Sequence, residues 1–289
     1  GGHLGIFIRV NQKHAAVVKS SFEAHFDDVK IAEYPDPFQN WPKDWDRKTG
    51  RYTMMYGSDM SILSARDPKT KKGAEADIYQ IKTWKDFQID NNQPTSDPAH
   101  ALFNALKSLD PEEYLVIQFY VRPFFDQKKI ATWKKRFQDK RVEFTQNVDN
   151  TVDDEGNVTL LTESEKNILN AMNRKIHSLN FLCKIRFLAF ANKEAKDKKA
   201  VSLVYSYFVQ FDSLSLVFYP DSQTVTSTEA KGEGFGLLGP QVGLFADKAF
   251  YEKERYFREK CIYQGLLKRD MDIGSIPYYL TSEELASMI

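Results

Sequence analysis

The chain has 289 residues, 42% hydrophobic and 13% aromatic, so it is too apolar to stay disordered and long enough for one large or two ordinary domains. Its 40 basic and 40 acidic side chains cancel, which excludes a global field for nucleic acid or an anionic membrane and leaves any such role to a local patch. Two cysteines, Cys183 and Cys261, with no CxxC spacing and no histidine cluster nearby, argue against a disulfide framework or a structural zinc site and fit a reducing setting.

In chain order, the run Leu4-Gly5-Ile6-Phe7-Ile8-Arg9-Val10 reads as a strand. Residues 13–26 read as a helix, with Val17, Val18, Phe22 and Phe26 at helical spacing. A second strand at 29–34 closes a β-α-β opening at Pro35-Asp36-Pro37. Residues 52–63 and 78–84 are the next strand candidates. A helix over 97–109 follows, with Asp97 as its cap, Pro98 at its first position and Leu102, Phe103, Leu106 and Leu109 on one face. Residues 114–121 form a strand whose two faces are both largely apolar, the mark of a central position. The first half thus reads as a ferredoxin-like β-α-β-β-α-β domain with one extra strand, within an α+β fold class.

A basic helix at 126–141 ends that domain, 1–145, and an acidic linker at 146–157 separates it from a smaller α/β domain at 158–289. Thr162 and Glu165 form a capping box before a helical stripe of Ile168, Leu169, Met172, Ile176 and Leu179. A strand at 181–190, an apolar helix at 200–211, a looped stretch at 213–243, a long charged helix at 247–269 and a strand at 278–280 follow. The last runs into a second capping box, Thr281 with Glu284.

Enzyme chemistry finds little footing. Gly234-Phe235-Gly236-Leu237-Leu238-Gly239 matches GxGxxG, but no apolar strand precedes it and Pro240 follows at once, so a loop explains it. No GxxxxGK[ST] phosphate loop and no GxSxG elbow occur, and His3, His14, His25, His100 and His177 are scattered without metal-binding spacing. The reading is therefore a non-enzyme with no catalytic residue, no metal ligand and no cofactor. The strongest local electrostatic feature is Lys128, Lys129, Lys134, Lys135, Arg136, Lys140 and Arg141, with Trp133 and Phe137 interleaved and directed inward. A solvated helix face accounts for it; contact with nucleic acid or anionic lipid is the functional alternative.

Four segments carry a resemblance. Residues 2–10, Tyr79-Gln80-Ile81-Lys82-Thr83-Trp84-Lys85-Asp86-Phe87 with Asp97-Pro98, Ile117-Gln118-Phe119-Tyr120-Val121-Arg122-Pro123, and Tyr279-Leu280-Thr281-Ser282-Glu283-Glu284-Leu285-Ala286 together resemble the amino-terminal, pre-motor region of type IV secretion or conjugative coupling-protein-like ATPases of bacteria. The resemblance implies an assembly or positioning domain at the cytoplasmic face of the inner membrane, with a membrane anchor upstream and a motor downstream. It also implies other subunits of a secretion or transfer complex as partners, with DNA as a further candidate and no small-molecule substrate. The start at Gly1 and the end at Ile289 fit that reading as cut ends. The alternative is a nucleic-acid-binding module that uses the basic helix and sheet aromatics.

Overall fold

A computed structural model describes residues 5–25, 31–37, 54–65, 76–87, 98–107, 109, 114–149, 162–191, 194–221 and 265–288. They fall in two units, Gly1–Thr53 and Met54–Ile289. In the first, α1 spans Gln12–His25 and buries no side chain fully. Val18 and Phe22 are half-covered, as the periodicity predicts, together with Ala15, whereas Val17, expected on the same face, is exposed and Phe26 lies outside the described residues. Neither 5–10 nor 31–34 is a strand. β-rich composition favours an extended backbone, but a strand exists only where a partner takes up its hydrogen bonds, and no described strand pairs with either run. Phe7 instead meets Tyr34 at 5.5 Å between ring centroids, and Arg9 reaches Asp36 at 3.9 Å.

The second unit is a mixed α+β fold on one antiparallel sheet. Its elements are β1 (Met54–Ser64), α2 (Pro98–Lys107), β2 (Tyr114–Pro123), α3 (Gln127–Asp149), α4 (Glu163–His177), β3 (Asn180–Ala191), α5 (Glu194–Val209), β4 (Leu216–Asp221), β5 (Tyr278–Thr281) and α6 (Ser282–Ala286). The strand order is β2-β3-β1-β4, and β5 pairs with the first residues of β3. β3 is the axis. Its residues 185–191 pair with β1 and its residues 180–183 with β5, while the whole strand pairs with β2 on its other side.

This topology corrects the expected division at 146–157. β1 and β2 come from before that stretch and share a sheet with β3, β4 and β5 from after it, and residues 146–149 belong to α3. An acidic, Gly-containing stretch marks a loop as readily as a domain boundary, and only the strand pairing tells the two apart. Residues 150–157 lie outside the described residues, as do the cap Asp97, the GxGxxG stretch and most of the expected helix at 247–269, of which 265–268 is helical.

Sheet register sorts the side chains. One face gathers Met60 opposite Ile185, Ile62 opposite Phe218, Ile117 opposite Phe187 and Phe119 opposite Ile185, all on alternate positions. α5 covers it with Val204, Tyr207 and Phe208, and Phe211 follows just beyond the helix. Phe208 meets Phe119 at 6.3 Å and Phe218 at 5.5 Å. Phe208, Phe211 and Phe218, buried to 0–1% exposure, each contribute about 1.5–3 kcal/mol of transfer free energy. α2 packs against α5 on this same side, with Leu102 against the core.

Two further expectations change. Residues 78–84 are apolar and largely buried yet form no strand, because their backbone groups are claimed elsewhere. Ile81 N–H donates to Glu284 Oε1 at 2.9 Å, Lys82 N–H to Phe211 O at 2.9 Å, and Trp84 N–H to Ser287 Oγ at 2.9 Å before a short 3-10 turn at Trp84–Phe87. β4 lies within the stretch read as looped. Asp212 Oδ1 accepts from Phe218 N–H at 2.7 Å, and Ser213 Oγ accepts from Ser215 and Leu216 N–H, so the polar residues build the turn that feeds the strand. Among the described residues no helix is long and apolar enough to cross a membrane.

Candidate functional site

Three polar assemblies stand out in the second unit. The first lies on the sheet face opposite α5. Register brings Asp59 opposite Arg186, Gln118 opposite Arg186 and Tyr120 opposite Lys184. Arg186 Nε donates to Asp59 Oδ1 at 2.6 Å and its Nη2 to Oδ2 at 3.2 Å, the two-point geometry that a guanidinium and a carboxylate share. Lys184 lies 3.9 Å from the same carboxylate. All three side chains are sealed from solvent, at 0–1% exposure.

Two cations thus share one acid. The remainder is balanced by a strap at 265–277, through its backbone dipoles and, at Lys184, through the charges of Asp272 and Asp270. Lys184 donates to Met271 O and to Ile273 O, Arg186 donates to Ile273 O and Asp270 O, and Tyr120 donates to Gly265 O at 3.0 Å. Ser275 donates to Asp59 Oδ2 from both its N–H, at 2.8 Å, and its hydroxyl, at 3.2 Å. Burial lowers the Lys184 ammonium to about 8, against the pull of Asp59 in the other direction, and raises the Tyr120 phenol to about 12. The strap fits because of its glycines. A Cβ at Gly265 would overlap Arg186 Nη1, and one at Gly274, whose φ is +95°, would overlap Asp59 Oδ2. Arg269 (φ 55°) turns the chain into the strap. Its N–H donates to Leu266 O and that of Asp270 to Gly265 O, a Schellman ending with Arg where Gly is usual.

The second assembly joins α4, α6 and the segment at 79–85. Lys175 Nζ meets Glu284 Oε1 at 3.0 Å with both side chains fully buried, and it also donates to Tyr79 O at 2.7 Å. Glu284 accepts further from Ile81 N–H and, through Oε2, from Thr281 N–H at 2.7 Å, while Thr281 Oγ1 accepts from Glu284 N–H. The capping box read from sequence is therefore also a buried anchor. Its counterpart at Thr162 and Glu165 is present too, but on the surface.

The third assembly is open. A cavity of about 230 Å³ is lined by Lys128, Lys129, Thr132, Trp133 and Arg136 of α3 and by Tyr279 of β5. Trp133 and Phe137 point inward, both at 3% exposure, as the sequence predicts. Tyr279 packs between Phe124 at 4.2 Å and Trp133 at 5.6 Å. Behind this wall, Arg136 Nη2 meets Asp77 Oδ1 at 3.4 Å, and burial lifts the Asp77 carboxyl to about 6 although Arg136 and Lys175 oppose the rise.

The seven basic candidates of α3 do not form one surface. Lys128, Lys129 and Arg136 come together at the cavity. Lys134 and Arg141 fall on the opposite side of the helix at 3.6 residues per turn, Lys135 is exposed away from the cavity, and Lys140 pairs with Glu143 at 2.7 Å. Sequence reading missed Tyr279 as a wall, and it missed the Asp59, Lys184 and Arg186 network altogether. A signal for that network existed: Lys184 and Arg186 alternate within an otherwise apolar strand, and charged residues in such a place need buried partners.

Cys183, the one cysteine among the described residues, is buried under β5 with its thiol raised to about 12, which makes it inert as a nucleophile. Among the described residues no three His, Cys, Asp or Glu side chains converge as metal ligands would. No protein-family model matches the chain, and neither a curated protein nor a solved structure does.

Proposed function

We propose that the chain is a non-catalytic assembly or positioning domain of a membrane-tethered type IV secretion or conjugative-transfer ATPase, acting at the cytoplasmic face of the inner membrane through contacts with other subunits. The observation that carries this reading is the meeting of two of the resembling segments, nearly 200 residues apart in sequence, around one buried anchor. Residues 79–87 and 279–286 join through Ile81 N–H to Glu284, Lys85 to Glu283 at 2.8 Å, and Lys175 bridging Tyr79 O and Glu284. A buried anchor of this kind holds the surrounding surface in place, which suits an assembly or positioning role.

The finer fold reading is ferredoxin-like, but with its strands drawn from the whole second unit: residues 1–145, expected to hold the β-α-β-β-α-β domain, supply only β1 and β2 among the described strands. Two split β-α-β units support it: β1 and β2 leave room for β3 between them, and β3 and β4 leave room for β1. The helix pair α3 and α4 replaces the hairpin of the simplest form, and β5 is an addition.

Two measurements test the functional reading. The purified chain is expected to hydrolyse no ATP; turnover that a point substitution within it abolishes overturns the proposal. In its own cell, a photo-crosslinking residue at Phe125, 77% exposed, is expected to capture subunits of a secretion or transfer complex. Capture of metabolic enzymes alone, or of no protein, counts against it.

A further inference from the structure

We infer that the cavity between α3 and β5 binds a nucleotide unit, a phosphate group carried beside an aromatic base. Three cations converge there, Lys128 and Lys129 from the first turn of one helix and Arg136 from about two turns further on. The carboxylates nearby are both engaged. Asp126 caps α3, its Oδ1 accepting from Lys128 and Lys129 N–H at 3.0 and 3.2 Å, and Asp77 is buried behind Arg136. Two lysines therefore keep their charge toward the opening.

The aromatic side is equally specific. Tyr279 forms one wall, Phe124 stacks on it, and Phe125 stands exposed at the next position of the chain. Trp133 forms the floor, with its buried indole N–H turned toward the Asp77 carboxyl behind the wall. Cations beside an aromatic wall suit one phosphate and one base. Lys134 and Arg141, on the far side of α3, take no part. This inference does not depend on the secretion reading, since a nucleotide could bind here in a protein of any cellular role.

Two sources could supply such a unit, a free mononucleotide or a single-stranded nucleic acid. The test uses thymidine monophosphate and a fluorescein-labelled 12-residue oligothymidylate with the full chain, followed by Trp fluorescence and by anisotropy at low and moderate salt. Lys128→Glu with Lys129→Glu is expected to weaken binding by about tenfold or more and to flatten its salt dependence. Tyr279→Leu is expected to weaken it about fivefold or more, with circular dichroism checking that the fold persists. The control pair, Lys134→Glu with Arg141→Glu, is expected to stay within about twofold, because it reverses the same charge on the other face. Binding of the mononucleotide assigns a free-nucleotide site, and binding of the oligomer alone assigns a strand site. Binding of neither, or an equal loss in the control pair, overturns the inference. The paired lysine variant is surface-exposed, so the test survives even if Tyr279→Leu fails to fold.

Discussion

Arg186 and Lys184 under the strap and Lys128, Lys129 and Arg136 beside β5 are the same chemistry placed in two solvents. In the first region each cation is out of water, and a carboxylate and strap carbonyls replace its hydration shell. In the second the lysines are exposed and their charge is left for an outside partner. A sealed network stabilises the fold and is costly to disturb, because every missing partner leaves a charge in a medium that cannot solvate it. An open cluster contributes little to stability and is free to bind.

That contrast breaks first at Asp59. Asp59→Ala removes the one acid shared by Arg186 and Lys184 and is expected to cost about 3–5 kcal/mol in urea unfolding. A loss below about 1 kcal/mol would show that water already reaches the network.

The pH dependence of stability separates the two regions next. The folded Lys184 ammonium titrates near 8 and the unfolded one at the ordinary 10.5. Its contribution is therefore full above pH 10.5 and is lost as pH falls through about 8, so stability from this group rises with pH across that window. Asp77 has the opposite sign. Its folded pKa of about 6 exceeds the ordinary 3.8, so its contribution is present below pH 3.8 and is lost as pH rises through about 6. Lys184→Met and Asp77→Asn are each expected to flatten the thermal midpoint in the matching window only.

Backbone tests of the strap are smaller. Gly274→Ala is expected to cost more than about 1 kcal/mol, since it combines a left-handed φ with a Cβ aimed at Asp59. Arg269→Gly should instead gain about 0.5–1 kcal/mol by relieving a left-handed non-glycine residue at the Schellman ending. At the bottom of the scale, Lys128→Ala with Lys129→Ala is expected to move stability by less than about 0.5 kcal/mol, and a larger loss would mean that the open cluster is structural.

Legibility followed the range of the forces involved. Helices with local signals were readable: Pro98 opens α2, Thr162 with Glu165 opens α4, Thr281 with Glu284 opens α6, and Trp133 and Phe137 face inward on α3. Strands that alternate apolar residues over eight or more positions, 114–121 and 181–190, were readable too. Residues 5–10, 31–34 and 78–84 have strand composition without strand pairing, and 216–221 was hidden by the polar turn that launches it. The basic run of α3 was visible as a run, but its division into three cavity residues and four others depends on where β5 lies.

The amino-acid order alone therefore settles an α+β composition, the caps and the inward faces of the helices, because hydrogen bonds and periodicity within a few residues decide them. Only the tertiary structure decides that strands from both halves of the chain form one sheet, that Asp59 meets Arg186 and Lys175 meets Glu284, and that Tyr279 closes a cavity on α3. Those pairings join residues well beyond any local window, from Pro123 with Phe181 to Asp59 with Arg186, and contacts at such separations are selected by the packing of the whole sheet.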